Sequence, residues 1–193
     1  MNTMAHACNR TGRRVRGSQG FTLVEMVGVL AIIAILAALL VPKVMSAIDE
    51  ARRANTVVGC NTAKTALVSY FAKYGSFSGL PADNADQTLL TEGFLESPFT
   101  TKVGVSPDLK RKAVNNAEPV WGKLDGNALA ASGNVVYVAL GAIPVSDAYE
   151  LSQRIDGDLS AANLTSSDDK GRVIYTYAAD TGLATTYIYL AHK

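Results

Sequence analysis

Glu25 stands near the start of an apolar run, Phe21 to Val41, and is the single charged residue in it. A carboxylate in hydrocarbon is costly. Such groups normally face a protein interior or an aqueous cavity and mark a pairing or transport site. The chain offers little else for chemistry. His6 and His192 are the two histidines and Cys8 and Cys60 the two cysteines, so a chain without its first twenty residues would keep one of each. One histidine and one cysteine do not make a conventional zinc site, a histidine-based relay or an intrachain disulfide. No phosphate-binding glycine loop, metal-histidine pair or nucleophile motif occurs after Gly20, and the expectation is a non-enzyme without a cofactor. The remaining ligand candidates are Asp156, Asp158, Asp168 and Asp169. They are weak calcium candidates, because Ala161 and Ser167 stand where an EF-hand loop needs glycine and a bidentate glutamate. A solvated acidic loop is the plainer reading.

Glu25 has to be positioned by the element that carries it. Phe21 to Val41 would be about 31 Å long as a helix, close to the thickness of a bilayer core. Its Leu, Ile, Val and Ala residues cover every helical face, which suits lipid or a protein-filled fibre core. Arg10, Arg13, Arg14 and Arg16 give the first twenty residues a charge of +4, and the other 173 residues carry −3. The positive-inside rule then keeps the N-terminus cytoplasmic and the rest on the far side. No aromatic residues are interleaved with these arginines, so no nucleic acid is expected as a direct partner. An ordinary cleaved secretory signal fits less well. The apolar run is too long, an acid lies within it, and no small-x-small site follows.

Beyond Pro42 the helical spacing continues while charges enter. Val44, Ile48, Ala51, Val58, Leu67 and Phe71 describe a stripe that a sheet of the same chain is expected to cover. Pro42 removes a backbone donor and should kink or open the helix, or mark the membrane boundary. Cys60, beside Gly59 and close to Ala63, reads as a small buried apolar residue. Asp49 with Arg52 or Arg53 reads as a solvated helical pair.

The Gly, Ser and Pro of Tyr74 to Pro81 end the helix. Residues 82 to about 132 read as a loose connection with a short helix around Ala85–Glu92, turns at Ser97-Pro98 and Ser106-Pro107, and a strand at Val120–Leu124. Val135–Leu140, Arg172–Ala178 and Thr185–Ala191 are clearer strands, rich in Val, Ile, Thr and Tyr. Pro144 to Ile155 reads as a helix capped by Ser146 or Asp147 and ended by Asp156-Gly157. The expected fold is α+β: a long N-terminal helix packed on a C-terminal antiparallel sheet of at least three strands. Its parts are a basic leader 1–20, a membrane or filament-core helix 21–42, an amphipathic stalk helix 43–75 and a globular head 76–193. Trp121, Tyr175, Tyr177, Tyr187 and Tyr189 are read as sheet residues, one set inward and one outward.

The hexapeptide Gly20-Phe-Thr-Leu-Val-Glu25, behind a basic leader and ahead of a membrane-length run, resembles the processing site of type IV pilins and type II secretion pseudopilins. The resemblance covers residues 1 to about 75 well. It implies cleavage between Gly20 and Phe21 by a prepilin peptidase, N-methylation of Phe21, and an assembly role for Glu25 and Pro42. Glu25 would pair with the amine of a neighbouring Phe21. The implied partners are copies of the chain itself, the peptidase, an assembly-platform membrane protein with its ATPase, minor pilins or pseudopilins, and membrane lipid before assembly. The implied location is the bacterial inner membrane, single-pass, with the head in the periplasm and later in a pseudopilus or surface filament. Val41–Arg52 and Leu89–Leu95 also resemble secretion pseudopilins. A type II secretion pseudopilin is therefore expected, with a type IV pilus pilin for adhesion, motility or DNA uptake as the alternative. An anchored binding domain that never polymerises is the alternative of another class.

Overall fold

A computed structural model describes residues 20–114, 133–157 and 163–192. The elements run α1 (Leu23–Tyr74), α2 (Ala85–Thr91), β1 (Val105–Ala113), β2 (Asn134–Pro144), α3 (Val145–Asp156), β3 (Val173–Ala178) and β4 (Leu183–His192). This is the α+β class: a long N-terminal helix packed on a four-stranded antiparallel sheet in the order β1-β2-β4-β3. The chain divides into two compact units, Met1–Val44 and Met45–Lys193.

In the first unit every residue from Phe21 to Val44 is exposed. Leu, Ile and Val on all sides make helix formation cheap only where lipid or another protein supplies the cover. Pro42 lies inside α1, which continues past it as helix.

In the second unit the later part of α1 has a conventional buried seam. Thr56, Cys60, Ala63, Ala66, Leu67 and Tyr70 are buried and share one helical face. They meet Val136, Val138 and Leu140 of β2, Ile188 and Leu190 of β4, Val173 and Tyr175 of β3 and Leu109 of β1 in one core. Of the expected stripe only Leu67 is fully buried and Phe71 packs at its margin. Val44, Ile48, Ala51 and Val58 are exposed, which corrects the stripe: the sheet covers the 56/60/63/67/70 face and leaves these residues uncovered.

The strand Val105–Ala113 is a second correction. A turn at Ser106-Pro107 within a loose connection is the expectation here, yet this segment pairs with β2 from Val105↔Gly141 to Ala113↔Asn134. An edge strand tolerates Pro107 and the charges of Lys110, Arg111 and Lys112, because Pro107 falls where the register shifts and one strand neighbour suffices. Leu109 anchors it in the core, at 0% exposure. Arg111 donates from its Nε to the Leu80 carbonyl at 2.6 Å and from Nη1 to the Asn134 side-chain oxygen at 2.7 Å.

The cap of α3 also differs from expectation. Pro144 occupies the N-cap position with no side-chain bond, and Asp147 turns instead to Arg53 of α1, Oδ1 to Nη1 at 2.8 Å. Glu50 accepts from both Arg53 and Arg154, so α1 and α3 are joined by a chain of alternating charges. Gly157 ends α3 as expected. Tyr175 points into the core, while Tyr187 and Tyr189 lie two apart on the other face of β4. The expected strand Val120–Leu124, Trp121 included, and the leader lie outside the described residues.

Candidate functional site

At the start of α1, Thr22 and Glu25 are bonded reciprocally. The Thr22 amide donates to Glu25 Oε2 at 2.8 Å and the Glu25 amide to Thr22 Oγ1 at 3.2 Å; the Thr22 hydroxyl also donates to Oε2 at 2.9 Å. Met26 N closes the first helical bond to the Thr22 carbonyl at 3.2 Å. This is a capping box: two of the four amides that a helix start leaves unpaired are satisfied by the two side chains. The signal was in the sequence as Thr-x-x-Glu ahead of an apolar run, and the sequence reading passed over Thr22. One carboxylate oxygen is thus engaged locally. Among the described residues Oε1 accepts no hydrogen bond. The positive end of the helix dipole lies at the same place and favours the carboxylate there.

Gly20 and Phe21 precede the first helical residue and are exposed, with Phe21 at 79%. A side chain at Gly20 would meet nothing within 4 Å, so no contact among the described residues demands glycine at that position.

The prokaryotic N-terminal methylation motif is matched over residues 15–41. The chain carries the prepilin signature of type IV pilins and pseudopilins. No curated protein and no solved structure matches the chain. The prepilin motif ends at Val41, one residue before Pro42, so it spans Gly20 and Phe21, the capping box and the apolar run together. It implies processing by prepilin peptidase and assembly with pilin-type machinery, and its single apolar helix fits anchoring in the inner membrane.

Of the acidic candidates, Asp156 and Asp168 hold the head together. Asp156 accepts the Arg172 amide on Oδ1 at 2.8 Å and the Val173 amide on Oδ2 at 2.7 Å. Burial holds its carboxyl above the ordinary aspartate range, against the opposing pull of those two amides. Asp168 is buried, with Ser152 Oγ donating to Oδ2 at 2.7 Å and the Lys170 amide to Oδ1 at 3.2 Å. Asp169 is exposed, and Asp158 lies outside the described residues. No three acidic, histidine or cysteine side chains among the described residues are grouped to hold a metal ion.

Cys60 lies under the sheet at 2% exposure, its thiol pushed up to about 12 by burial. A thiolate is the reactive form, so the folded protein should leave Cys60 unmodified by thiol reagents at neutral pH. Labelling of the processed chain, followed by mass spectrometry before and after denaturation, should show modification only after unfolding.

Proposed function

We propose that the chain is the precursor of a pseudopilin of a type II secretion system. It is a non-enzymatic subunit that is cut after Gly20, methylated at Phe21, held in the inner membrane by residues 21–42 and polymerised into a short fibre. The observation that carries the subunit role is the prepilin motif ending in a helix with no cover of its own and a carboxylate at its head. In this reading Thr22 holds one oxygen of Glu25 while the other receives the methylated amine of a neighbouring Phe21. Both charges are then compensated inside an apolar core, and a copy out of register strands them. Identical head-to-tail contacts that do not close on themselves make a fibre.

The choice of a secretion fibre over a pilus is supported by the single, buried Cys60, which cannot bound a disulfide-closed C-terminal region of the kind many pilins carry. The pseudopilin-like phrases Val41–Arg52 and Leu89–Leu95 point the same way. Polymerisation draws on an assembly platform and its ATPase, and the reading needs no cofactor.

Intact mass and N-terminal sequencing of the protein from its native membranes test processing. A chain beginning at Phe21 with one added methyl is expected; a chain retaining Met1 to Gly20 where the peptidase is active would favour a permanently anchored domain. Deletion of the gene should then block release of exoproteins and leave surface pili intact. The reverse pattern would assign the chain to a pilus.

A further inference from the structure

The two edges of the sheet are built differently. β1 carries Pro107, Asp108, Lys110, Arg111 and Lys112, and charges and proline are the ordinary protection of an edge against pairing with another chain. β3, the opposite edge, reads Val-Ile-Tyr-Thr-Tyr-Ala. It has no charge, no proline and no glycine, and it consists almost wholly of strand-forming residues, the composition of a segment that adds to other strands.

All of β3 is in register with β4, but in an antiparallel ladder successive amides face opposite sides, and those of Val173, Tyr175 and Tyr177 bond to acceptors outside β4. All three have acceptors from the same chain. Val173 N reaches Asp156 Oδ2 at 2.7 Å, Tyr175 N the Asp168 carbonyl at 3.0 Å, and Tyr177 N the Ser167 hydroxyl at 3.0 Å. Asp168 N returns a bond to the Tyr175 carbonyl at 2.9 Å, so it occupies one residue of a fifth strand's place. Gly171 belongs to the same arrangement. Its φ is +80°, and a Cβ there would lie 2.6 Å from Asp156 Oδ2, so only glycine lets the carboxylate reach its two amides without a shift.

We propose that Asp156, Ser167 and Asp168 form a cover that occupies the β3 edge and prevents a second copy of the chain from adding its own β3 there. A protein that must stand at high local concentration in a membrane and in a fibre meets its own copies constantly, and an open Val-Ile-Tyr-Thr-Tyr-Ala edge would compete with ordered helix assembly. The uncharged strand and the three cis acceptors explain one another. Without the cover the strand sequence would be a hazard, and a charged strand like β1 would need no cover.

The test uses the processed chain in detergent with a reporter thiol on β3, Thr176→Cys, Thr176 being exposed and Cys60 buried. A parallel reporter, Val58→Cys, reads association through the helix. Adding Asp156→Ala should raise disulfide cross-linking through Thr176→Cys several-fold and leave Val58→Cys unchanged. Gly171→Ala should do the same while retaining the carboxylate, and Asp156→Asn, which keeps one acceptor oxygen, should fall between. Unchanged cross-linking in a variant whose circular dichroism shows a folded head would overturn the cover. So would an equal rise in Leu151→Ala, which loosens the core without touching the edge; the three residues would then be structural anchors only.

Discussion

Glu25→Ala is expected to cut fibre yield by roughly an order of magnitude or more, the consequence of stranding a neighbour's amine in an apolar core. Melting of the second unit should not change, because Glu25 lies in the first unit and, among the described residues, its side-chain hydrogen bonds run to Thr22. Two measurements separate the readings. Fibres sheared from cells overexpressing the system and quantified by immunoblot report assembly, while near-UV circular dichroism of detergent-solubilised protein reports the fold. Thr22→Ala should reproduce part of the loss. It removes the hydroxyl that accepts the Glu25 amide and donates to the carboxylate, but it leaves the backbone amide that also holds Oε2. Full fibre yield from Glu25→Ala would remove the pairing role, and loss of both fibre and melting transition would make Glu25 a folding residue instead.

Leu67 and Val68 are sequence neighbours with opposite expected effects. Leu67 is fully enclosed between α1 and the sheet, and Val68 is 58% exposed. Leu67→Ala removes three buried carbons from a core that cannot fully collapse, at a cost of about 2–5 kcal/mol. For a unit of this size that corresponds to a fall in Tm of roughly 5–15 °C. Val68→Ala should change head stability by no more than about 0.5 kcal/mol. Val58 and Val68 form part of an apolar surface that the chain leaves open; if neighbouring subunits cover it in the fibre, Val68→Asn should lower fibre yield at unchanged Tm. Thermal melts by circular dichroism and the same fibre blot check both. Equal melting of the Leu67 and Val68 variants would mean that the sheet does not cover the helix on the 56/60/63/67/70 face.

Much of the candidate site was legible because its signals are local. Gly20, Phe21 and Glu25 sit at fixed short spacing before an apolar run, and no distant residue has to be known to read them. Thr22 is equally local: Thr-x-x-Glu is a helix-start signature, and its bond to Glu25 lies within three residues of sequence. The strands β2, β3 and β4 were legible from their Val, Ile, Thr and Tyr content. β1 was not, because an edge strand needs only one face and one neighbour, so Pro107 and three basic residues do no harm there. The helical stripe was misplaced for a related reason. Val44, Ile48 and Val58 are apolar at helical spacing, and periodicity alone cannot say whether the covering surface is the chain's own sheet or something outside it.

The sequence by itself determined the existence and length of the apolar helix, the placement of its lone carboxylate, the α+β class and the prepilin motif, since all of these follow from composition and short-range spacing. Only the tertiary structure decided which face of α1 is buried, that Asp147 pairs with Arg53 rather than capping its own helix, and that Asp156, Ser167 and Asp168 close the β3 edge. Those outcomes depend on which groups distant in the chain come within bonding distance, and short-range spacing carries no information about that.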